Sequence, residues 1–162
     1  MIRTINSLKE NISRSDALMA VSGSSGAFTP QVQKQLFYPY YWVHFQYRVK
    51  TILGERLLQA YCLVDLLNNQ AATADEFQWE SRQEEEENIL EPEVPEESAL
   101  ETARTYLLHS SIHTMKALLC PEKTILDQRL LYKPFWIVRC DNRKKEHFHL
   151  LVDGMTGKFQ VL

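Results

Sequence analysis

Cysteine is scarce in this sequence, and its placement excludes a fold held together by disulfides. The 162 residues include three cysteines, Cys62, Cys120 and Cys140, which are odd in number and widely spaced. Small secreted domains that depend on disulfides carry even numbers of cysteines in a dense framework. The three residues are therefore predicted to be reduced thiols in a cytosolic protein.

Long apolar runs are also missing. The longest, Tyr61 to Leu67, contains Asp65 and is far shorter than the ~20 residues that a bilayer-spanning helix needs. The first residues, Met1 to Asn6, do not lead into the continuous apolar stretch and small-residue cleavage site of a secretory signal. These absences predict a cytoplasmic location and no membrane partner.

Basic residues are nearly absent from one part of the chain. Between Asp75 and Glu101 lie 12 of the 21 acidic residues and a single basic residue, Arg82. The remaining chain is basic, with 17 basic and 9 acidic residues, although the net charge of the whole is −3. The glutamate-rich segment 84–97, which contains two prolines, has the composition of a solvated connector. It is predicted to be an acidic linker that keeps the protein soluble.

What the sequence does contain is a pattern of aromatic, proline and aspartate residues that occurs twice. The first set is Tyr38-Pro39, Trp42, Val64-Asp65 and Phe77-Gln78, and the second is Tyr132, Pro134, Trp136, Val152-Asp153 and Phe159-Gln160. Duplicated units that cannot bury their apolar faces alone form one shared core. The predicted fold class is α+β, with two repeated units of a helix plus a three-stranded antiparallel meander, and with a long amphipathic helix packed on sheet.

This interpretation divides the chain into four parts. Residues 1–28 form an N-terminal helix and flexible linker, 29–83 the first α+β unit, 84–97 the acidic linker and 98–162 the second α+β unit. The predicted helices are Ser7–Ala20, Thr29–Phe37, Ala99–Leu119 and a short turn ending at Leu131. The predicted strands are Tyr41–Lys50, Leu57–Asp65, Phe77–Trp79, Phe135–Cys140, His147–Val152 and Lys158–Leu162.

Periodicity and capping signals support the most definite of these elements. From Tyr41 to Lys50 apolar and polar residues alternate, which is the period of a half-buried strand. Ser98 and Glu101 have the spacing of a capping box, and the apolar residues that follow recur at helical spacing. The helix after Ser98 is therefore predicted to cover a sheet.

A turn motif lies near the end of the sequence, Leu151-Val152-Asp153-Gly154-Met155-Thr156-Gly157-Lys158. Through this motif the region 98–162 resembles PepSY-type domains, whose final hairpin commonly carries a Val-Asp, small residue, x, Thr-Gly turn. The resemblance implies a small α+β binding or inhibitory module without catalytic residues. Aspartate in such turns accepts hydrogen bonds from backbone amides. Asp153, and Asp65 at the matching place, are therefore interpreted as structural caps.

Four potential metal ligands are predicted to meet at one hairpin: Cys140, Asp141, His147 and His149. Thiolate, carboxylate and imidazole are ligands that zinc accepts, so a metal-dependent hydrolase using this cluster is one alternative function. The adjacent basic residues 143–145 produce a positive field that opposes a bound cation. The favoured prediction therefore assigns no metal, no cofactor and no catalytic residue.

Two tryptophans and one basic turn are the predicted partner-binding residues. Trp42 and Trp136 occupy matching places in the two patterns, where large aromatic residues most often pack two halves together, and they would anchor a partner if they were exposed. Arg143, Lys144 and Lys145 form a basic hairpin tip, so a nucleic-acid-binding module is the second alternative function. Three residues are a narrow basic surface, and the acidic segment opposes nucleic acid. The favoured function is a non-enzymatic cytosolic protein-interaction or regulatory module.

Overall fold

A computed structural model describes residues 1–23, 28–75, 77–115, 122–144 and 146–162. In these ranges the elements are β1 (Ile2–Leu8), α1 (Arg14–Ser22), β2 (Thr29–Thr51), β3 (Gly54–Asp65), β4 (Gln70–Ala74), β5 (Trp79–Glu85), a 310 turn (Glu86–Asn88), α2 (Glu96–Met115), β6 (Glu122–Asp141), β7 (His147–Asp153) and β8 (Phe159–Val161). The strands belong to a mixed sheet in the order β4-β3-β2-β6-β1-β5, with β7 beside β6 and β8 beside β7.

The chain divides into two compact units, each assembled from separate stretches of sequence. Unit 1 consists of residues 1–38, 78–91 and 132–162, and unit 2 consists of residues 39–77 and 92–131. The strands β2 and β6 each contribute residues to both units, because their bounds include the division points at 38–39 and 131–132.

Unit 1 is built around β1, β5 and the end of β6. β1 pairs antiparallel with β5 along all seven residues of both strands, and parallel with β6 at Ser7 and Tyr132. β7 pairs antiparallel with β6 on one side and with β8 on the other. The helix α1 buries Ala17 and Val21 in the core of this unit. The strand residues of that core are Val32, Val138, Cys140, Leu150 and Val152.

Unit 2 is an antiparallel set of β2, β3 and β4 covered by α2. The helix contributes Ala99, Ala103 and Leu107 to a core whose strand residues are Tyr41, Val43, Phe45, Tyr47, Cys62 and Val64, joined by Leu66 from the turn after β3. Every second residue of β2 from Tyr41 to Tyr47 is in this core, so the predicted alternation is confirmed.

The predicted fold class is wrong, because the molecule is a mixed sheet and not two helix-plus-meander units. The predicted helix 29–37 and the predicted helical turn before Leu131 are parts of the long strands β2 and β6. Val32 and Phe37 are both buried in β2. Two residues five positions apart lie on opposite faces of a strand, and in a helix they would not lie on the same face either. Since β2 buries residues on both faces here, its sequence shows no clear alternation.

The N-terminal helix begins at Arg14 and not at Ser7. Ser7 and Leu8 are buried in β1. The capping box is formed by Ser13 and Asp16: the Asp16 backbone N–H donates to Ser13 Oγ at 3.2 Å, and the Ser13 backbone N–H donates to Asp16 Oδ2 at 3.0 Å. Two segments of the sequence offer such a box, and the pairing of β1 leaves only the second for the helix.

The segment 84–97 is more ordered than the predicted acidic linker. It holds the end of β5, the 310 turn and the start of α2. Ile89 is buried within unit 1, and the backbone N–H of Leu90 donates to the carbonyl oxygen of Phe37 at 3.0 Å. The glutamates are therefore the exposed residues of a segment whose backbone is partly fixed by pairing.

Two further bounds differ from prediction. α2 begins at Glu96, so Ser98 lies within its first turn, and the predicted end at Leu119 lies outside the described residues. The strand at Trp79 pairs with β1 in unit 1, while β4 is the third strand beside β2 and β3. By contrast, the predicted return strand His147–Val152 is confirmed as β7.

Two turns share one hydrogen-bond pattern, which confirms the predicted capping role of both aspartates. With the backbone donor first, the bonds to the Oδ1 atoms are Leu67 to Asp65 (2.8 Å), Asn68 to Asp65 (3.1 Å), Met155 to Asp153 (2.7 Å) and Thr156 to Asp153 (3.2 Å). Each turn ends on a residue with positive φ, Asn69 at 54° and Gly157 at 76°. These are the residue types that adopt this conformation most readily.

Candidate functional site

The hairpin formed by β2 and β3 extends past the apolar core of unit 2. The two strands pair without interruption up to Thr51 and Gly54, with a two-residue loop between them. Gly54 has φ of 121°, a conformation that side-chain-bearing residues rarely adopt. The core ends near Val49, which is half-buried, and all residues from 52 to 59 are exposed. The hairpin therefore presents its end to solvent.

Four large aliphatic side chains lie at this end. Ile52 and Leu53 form the loop and are 105% and 99% exposed, and Leu57 and Leu58 are 58% and 40% exposed. We call these four residues the apolar tip. Single exposed aliphatic residues are ordinary, but here Ile52 and Leu53 follow each other in the loop, and Leu57 and Leu58 lie on opposite faces of β3 close by in sequence. Such a concentration of exposed apolar side chains is typical of interaction sites. Because Gly54 fixes the turn, the tip is a preformed surface.

The charged residues beside the apolar tip are mainly basic. Arg48, Lys50 and Arg56 are exposed on the same hairpin. The one acidic residue there, Glu55, has its Oε2 atom 3.8 Å from Nε of Arg48. An exposed ion pair of this length contributes little to stability, so its side chains are free to rearrange. The hairpin thus combines an apolar end with a basic flank.

Trp42, one of the two predicted tryptophan anchors, is not exposed. Only 7% of its surface is accessible, and its ring packs beside Tyr61 and His44, with centroid distances of 5.8 and 6.0 Å. Gln59 joins the outer part of this cluster, because its Oε1 atom lies 3.0 Å from His44 Nε2 and accepts from the Tyr61 hydroxyl at 3.3 Å. The condition on which Trp42 was predicted to anchor a partner is therefore not met.

Trp136 has a structural contact that also limits its availability. Its Nε1–H donates to the carbonyl oxygen of Ile12 at 2.8 Å, and the ring packs against the core of unit 1.

Of the predicted basic tip, Arg143 and Lys144 are exposed in the turn between β6 and β7, and Lys145 lies outside the described residues. The backbone N–H of Lys144 donates to Oδ1 of Asn142 at 2.9 Å, so this turn is locally ordered.

The four predicted metal ligands are divided between the two faces of the β6–β7 hairpin. Asp141 pairs directly with His147, whereas Cys140 pairs with Phe148 and is buried in the core of unit 1. Neighbouring residues of a strand point to opposite faces, so Cys140 faces away from Asp141 and the histidines. The rings of His147 and His149 are 5.8 Å apart. Across the described ranges, no three side chains of the metal-binding types are grouped so that they could hold an ion.

The two described thiols have the environment of core residues. Burial raises the pKa of Cys62 to about 11. Burial also raises the pKa of Cys140, with a further contribution from the nearby carboxylate of Asp141. Both cysteines are unpaired and buried. Because the thiolate is the nucleophilic and metal-binding form, neither side chain is prepared for these reactions at neutral pH.

The sequence analysis did not predict the apolar tip. One signal for it exists. Two-residue hairpin loops usually contain glycine, asparagine or aspartate, whereas this loop is Ile52-Leu53. Large aliphatic residues in a loop that cannot bury them indicate a role outside folding.

Comparison with known proteins found no matching family model, no matching curated protein and no matching solved structure. Neither described helix is both long and apolar enough to span a bilayer. The functional argument therefore depends on the residues of this chain alone.

Proposed function

We propose that the protein is a non-enzymatic protein-interaction or regulatory module of the cytosol, and that it contacts its partner through the apolar tip. The observation that carries this proposal is the complete exposure of Ile52 and Leu53 at the end of a paired hairpin. A partner that covers these side chains removes apolar surface from water without any rearrangement of the hairpin.

The apolar tip is large enough to act as a binding anchor. Full burial of an isoleucine or leucine side chain contributes about 1.5–3 kcal/mol, so Ile52 and Leu53 together would supply roughly 3–6 kcal/mol before the cost of association. Leu57 and Leu58 are partly exposed and would add to this at the border of the contact. A few well-buried residues of this kind dominate the energy of typical protein interfaces.

Other features support a cytosolic module without catalysis. Cys62 and Cys140 are unpaired and belong to the cores of different units, which suits a reducing compartment. Their raised pKa values disfavour thiol chemistry. The resemblance of 98–162 to PepSY-type domains is a further argument for a binding module, because that family is made of small binding or inhibitory domains.

The test compares a double variant of the apolar tip, Ile52→Ser with Leu53→Ser, with a matched control. Met19→Ser removes another exposed apolar side chain, from α1 in the other unit. Proteins that crosslink to a photoreactive residue at position 53 are identified, purified and titrated against each form. We expect the double variant to bind at least about tenfold more weakly than wild type, since each tenfold change is 1.4 kcal/mol, and the control to bind as wild type does.

Two results would contradict the proposal. One is equal binding of the identified partner to wild type and to the double variant, with thermal unfolding unchanged in both. The other is that no protein crosslinks specifically at position 53, which means that an excess of unlabelled protein prevents none of the crosslinks. The double variant is expected to fold, because neither side chain is part of the described cores.

A further inference from the structure

The strand β5 has an open edge in unit 1. Its seven residues pair with β1 on one side, and among the described residues no strand pairs with its other side. A terminal strand leaves a row of backbone N–H and C=O groups available to an added strand. Because β1 holds β5 along its whole length, this edge is already extended and ordered.

The side chains along this edge are acidic. Glu80, Glu84 and Glu85 belong to β5, and the 310 turn that follows begins with Glu86 and Glu87. Four of these carboxylates are exposed, and Glu84 is partly covered. Glu85 Oε2 lies 3.8 Å from the Met1 ammonium in an exposed ion pair, so the excess of negative charge comes mainly from Glu80, Glu86 and Glu87.

The one basic residue of β5 is neutralised within unit 1. Arg82 Nη2 lies 2.8 Å from Glu84 Oε1 and donates to Gln35 Oε1 at 3.2 Å. Its Nη1 atom is 3.7 Å from Glu10 Oε2, and its guanidinium lies 5.1 Å from the ring centre of Phe37. Arg82 is therefore directed toward its own unit and does not offset the charge of the exposed glutamates.

We propose that the outer edge of β5 binds an extended basic segment of a partner protein, which adds to the sheet as a further strand. Backbone hydrogen bonds provide the pairing, and lysine or arginine side chains at alternate positions of the segment meet Glu80 and Glu84, which share one face of β5, while Glu85 lies on the other face. This surface is in unit 1 and does not depend on the apolar tip of unit 2. Basic segments are the fitting occupant because opposite charges across a strand pair stabilise it.

The same charges explain why a second copy of this chain is not the occupant. Edge-to-edge pairing of two β5 strands places glutamates of one copy beside glutamates of the other, and like charges in facing strands are destabilising. Charged residues on an open edge are a common means of preventing such self-association. The acidic edge thus rejects its own copy and selects a partner of opposite charge.

The test uses three synthetic peptides and the full chain. The first alternates lysine with valine, the second has glutamate in place of each lysine, and the third is the lysine peptide with alternate backbone nitrogens methylated. Binding is followed by fluorescence anisotropy at low and physiological salt, and by hydrogen exchange of the β5 amides. We expect the lysine peptide to bind and to protect β5, and the other two to bind at least about tenfold more weakly, because each lacks one of the two contacts.

Two charge variants with equal change of net charge locate the site. Glu80→Lys with Glu85→Lys alters the edge, and Glu97→Lys with Glu101→Lys alters exposed residues of α2. The first variant is expected to lose about tenfold or more of the affinity for the lysine peptide. The second is expected to keep wild-type affinity.

Each alternative outcome overturns the proposal. Equal binding of the methylated peptide shows attraction by charge without strand addition, and equal binding of the glutamate peptide removes the basic preference. If the lysine peptide shows no measurable binding, β5 is not a binding site for basic segments. Sedimentation that shows self-association, abolished by the Glu80→Lys and Glu85→Lys variant, assigns the edge to a second copy instead. None of these outcomes bears on binding through the apolar tip.

Discussion

Replacement of Gly154 by alanine tests the packing of the Asp153 turn. A Cβ atom at this position would lie 2.5 Å from the carbonyl oxygen and 3.1 Å from the carbonyl carbon of Pro134. Both are backbone atoms, so neither can rotate away. The backbone of Gly154 also makes three hydrogen bonds, donating to Pro134 at 2.9 Å and accepting from Asn11 and Ile12 at 3.0 and 2.9 Å.

The corresponding turn of unit 2 indicates how large the effect should be. Leu66 occupies the position after Asp65, and its backbone N–H donates to the carbonyl oxygen of Pro39 at 3.2 Å, compared with 2.9 Å for Gly154 and Pro134. A side chain is therefore tolerated where the two backbones are farther apart. Unit 1 would need a similar shift, and overpacking of this kind destabilises by about 1–3 kcal/mol. We expect Gly154→Ala to lose ~2 kcal/mol of unfolding free energy.

The assay is thermal and urea unfolding of wild type, Gly154→Ala and the control Gly23→Ala. At Gly23 the nearest atom to an added Cβ is the Met19 carbonyl oxygen at 3.7 Å, and φ is −71°, so alanine fits. For a chain of this size, ~2 kcal/mol corresponds to a fall in Tm of roughly 4–8 °C. If Gly154→Ala melts within about 1 °C of wild type, the close approach to Pro134 does not restrict this position and the reasoning is refuted.

Three further predictions follow from single contacts. Lys133 Nζ lies 2.7 Å from Asp153 Oδ2, and although burial raises the pKa of Asp153, Lys133 and the Met155 amide lower it overall. Lys133→Met should therefore lower the free energy of unfolding by ~1.5–3 kcal/mol near pH 7. The difference from wild type should shrink as the pH falls below 3.8, the ordinary pKa of an aspartate, toward the lowered pKa of Asp153 in the folded protein. Urea unfolding across this pH range measures it. Ser13→Ala should lower the free energy of unfolding by about 0.5–2 kcal/mol, because it removes the hydroxyl that accepts from the Asp16 backbone N–H at the start of α1. Urea unfolding measures this loss, and a variant as stable as wild type would contradict it. Cys62 should resist alkylation at neutral pH until the protein unfolds, as followed by mass spectrometry, and rapid native labelling would show that its thiol is accessible.

Local patterns in the sequence determined several parts of this protein. The alternation that begins at Tyr41 predicted a strand whose alternate residues face a core, and the structure has that alternation within the longer strand β2, although Trp42 on the other face is buried as well. Asp65 and Asp153 were predicted to be turn caps because they recur at matching places before turns, and both accept the expected backbone hydrogen bonds. The strand at His147 was also predicted correctly. These features depend on residues within a few positions of one another, which is the range over which sequence patterns are informative.

The tertiary structure decided the features that depend on distant strands. Val32 and Phe37 lie in a strand with buried residues on both faces, so neither period appears in their spacing. Capping spacings at Ser7 and at Ser13 could each begin a helix, and the pairing of β1 with β5 leaves only Ser13 to cap α1. The exposure of Ile52 is likewise opposite to what its residue type suggests. Exposure is set by which elements pack over a residue, and that information is not contained in its neighbours along the chain.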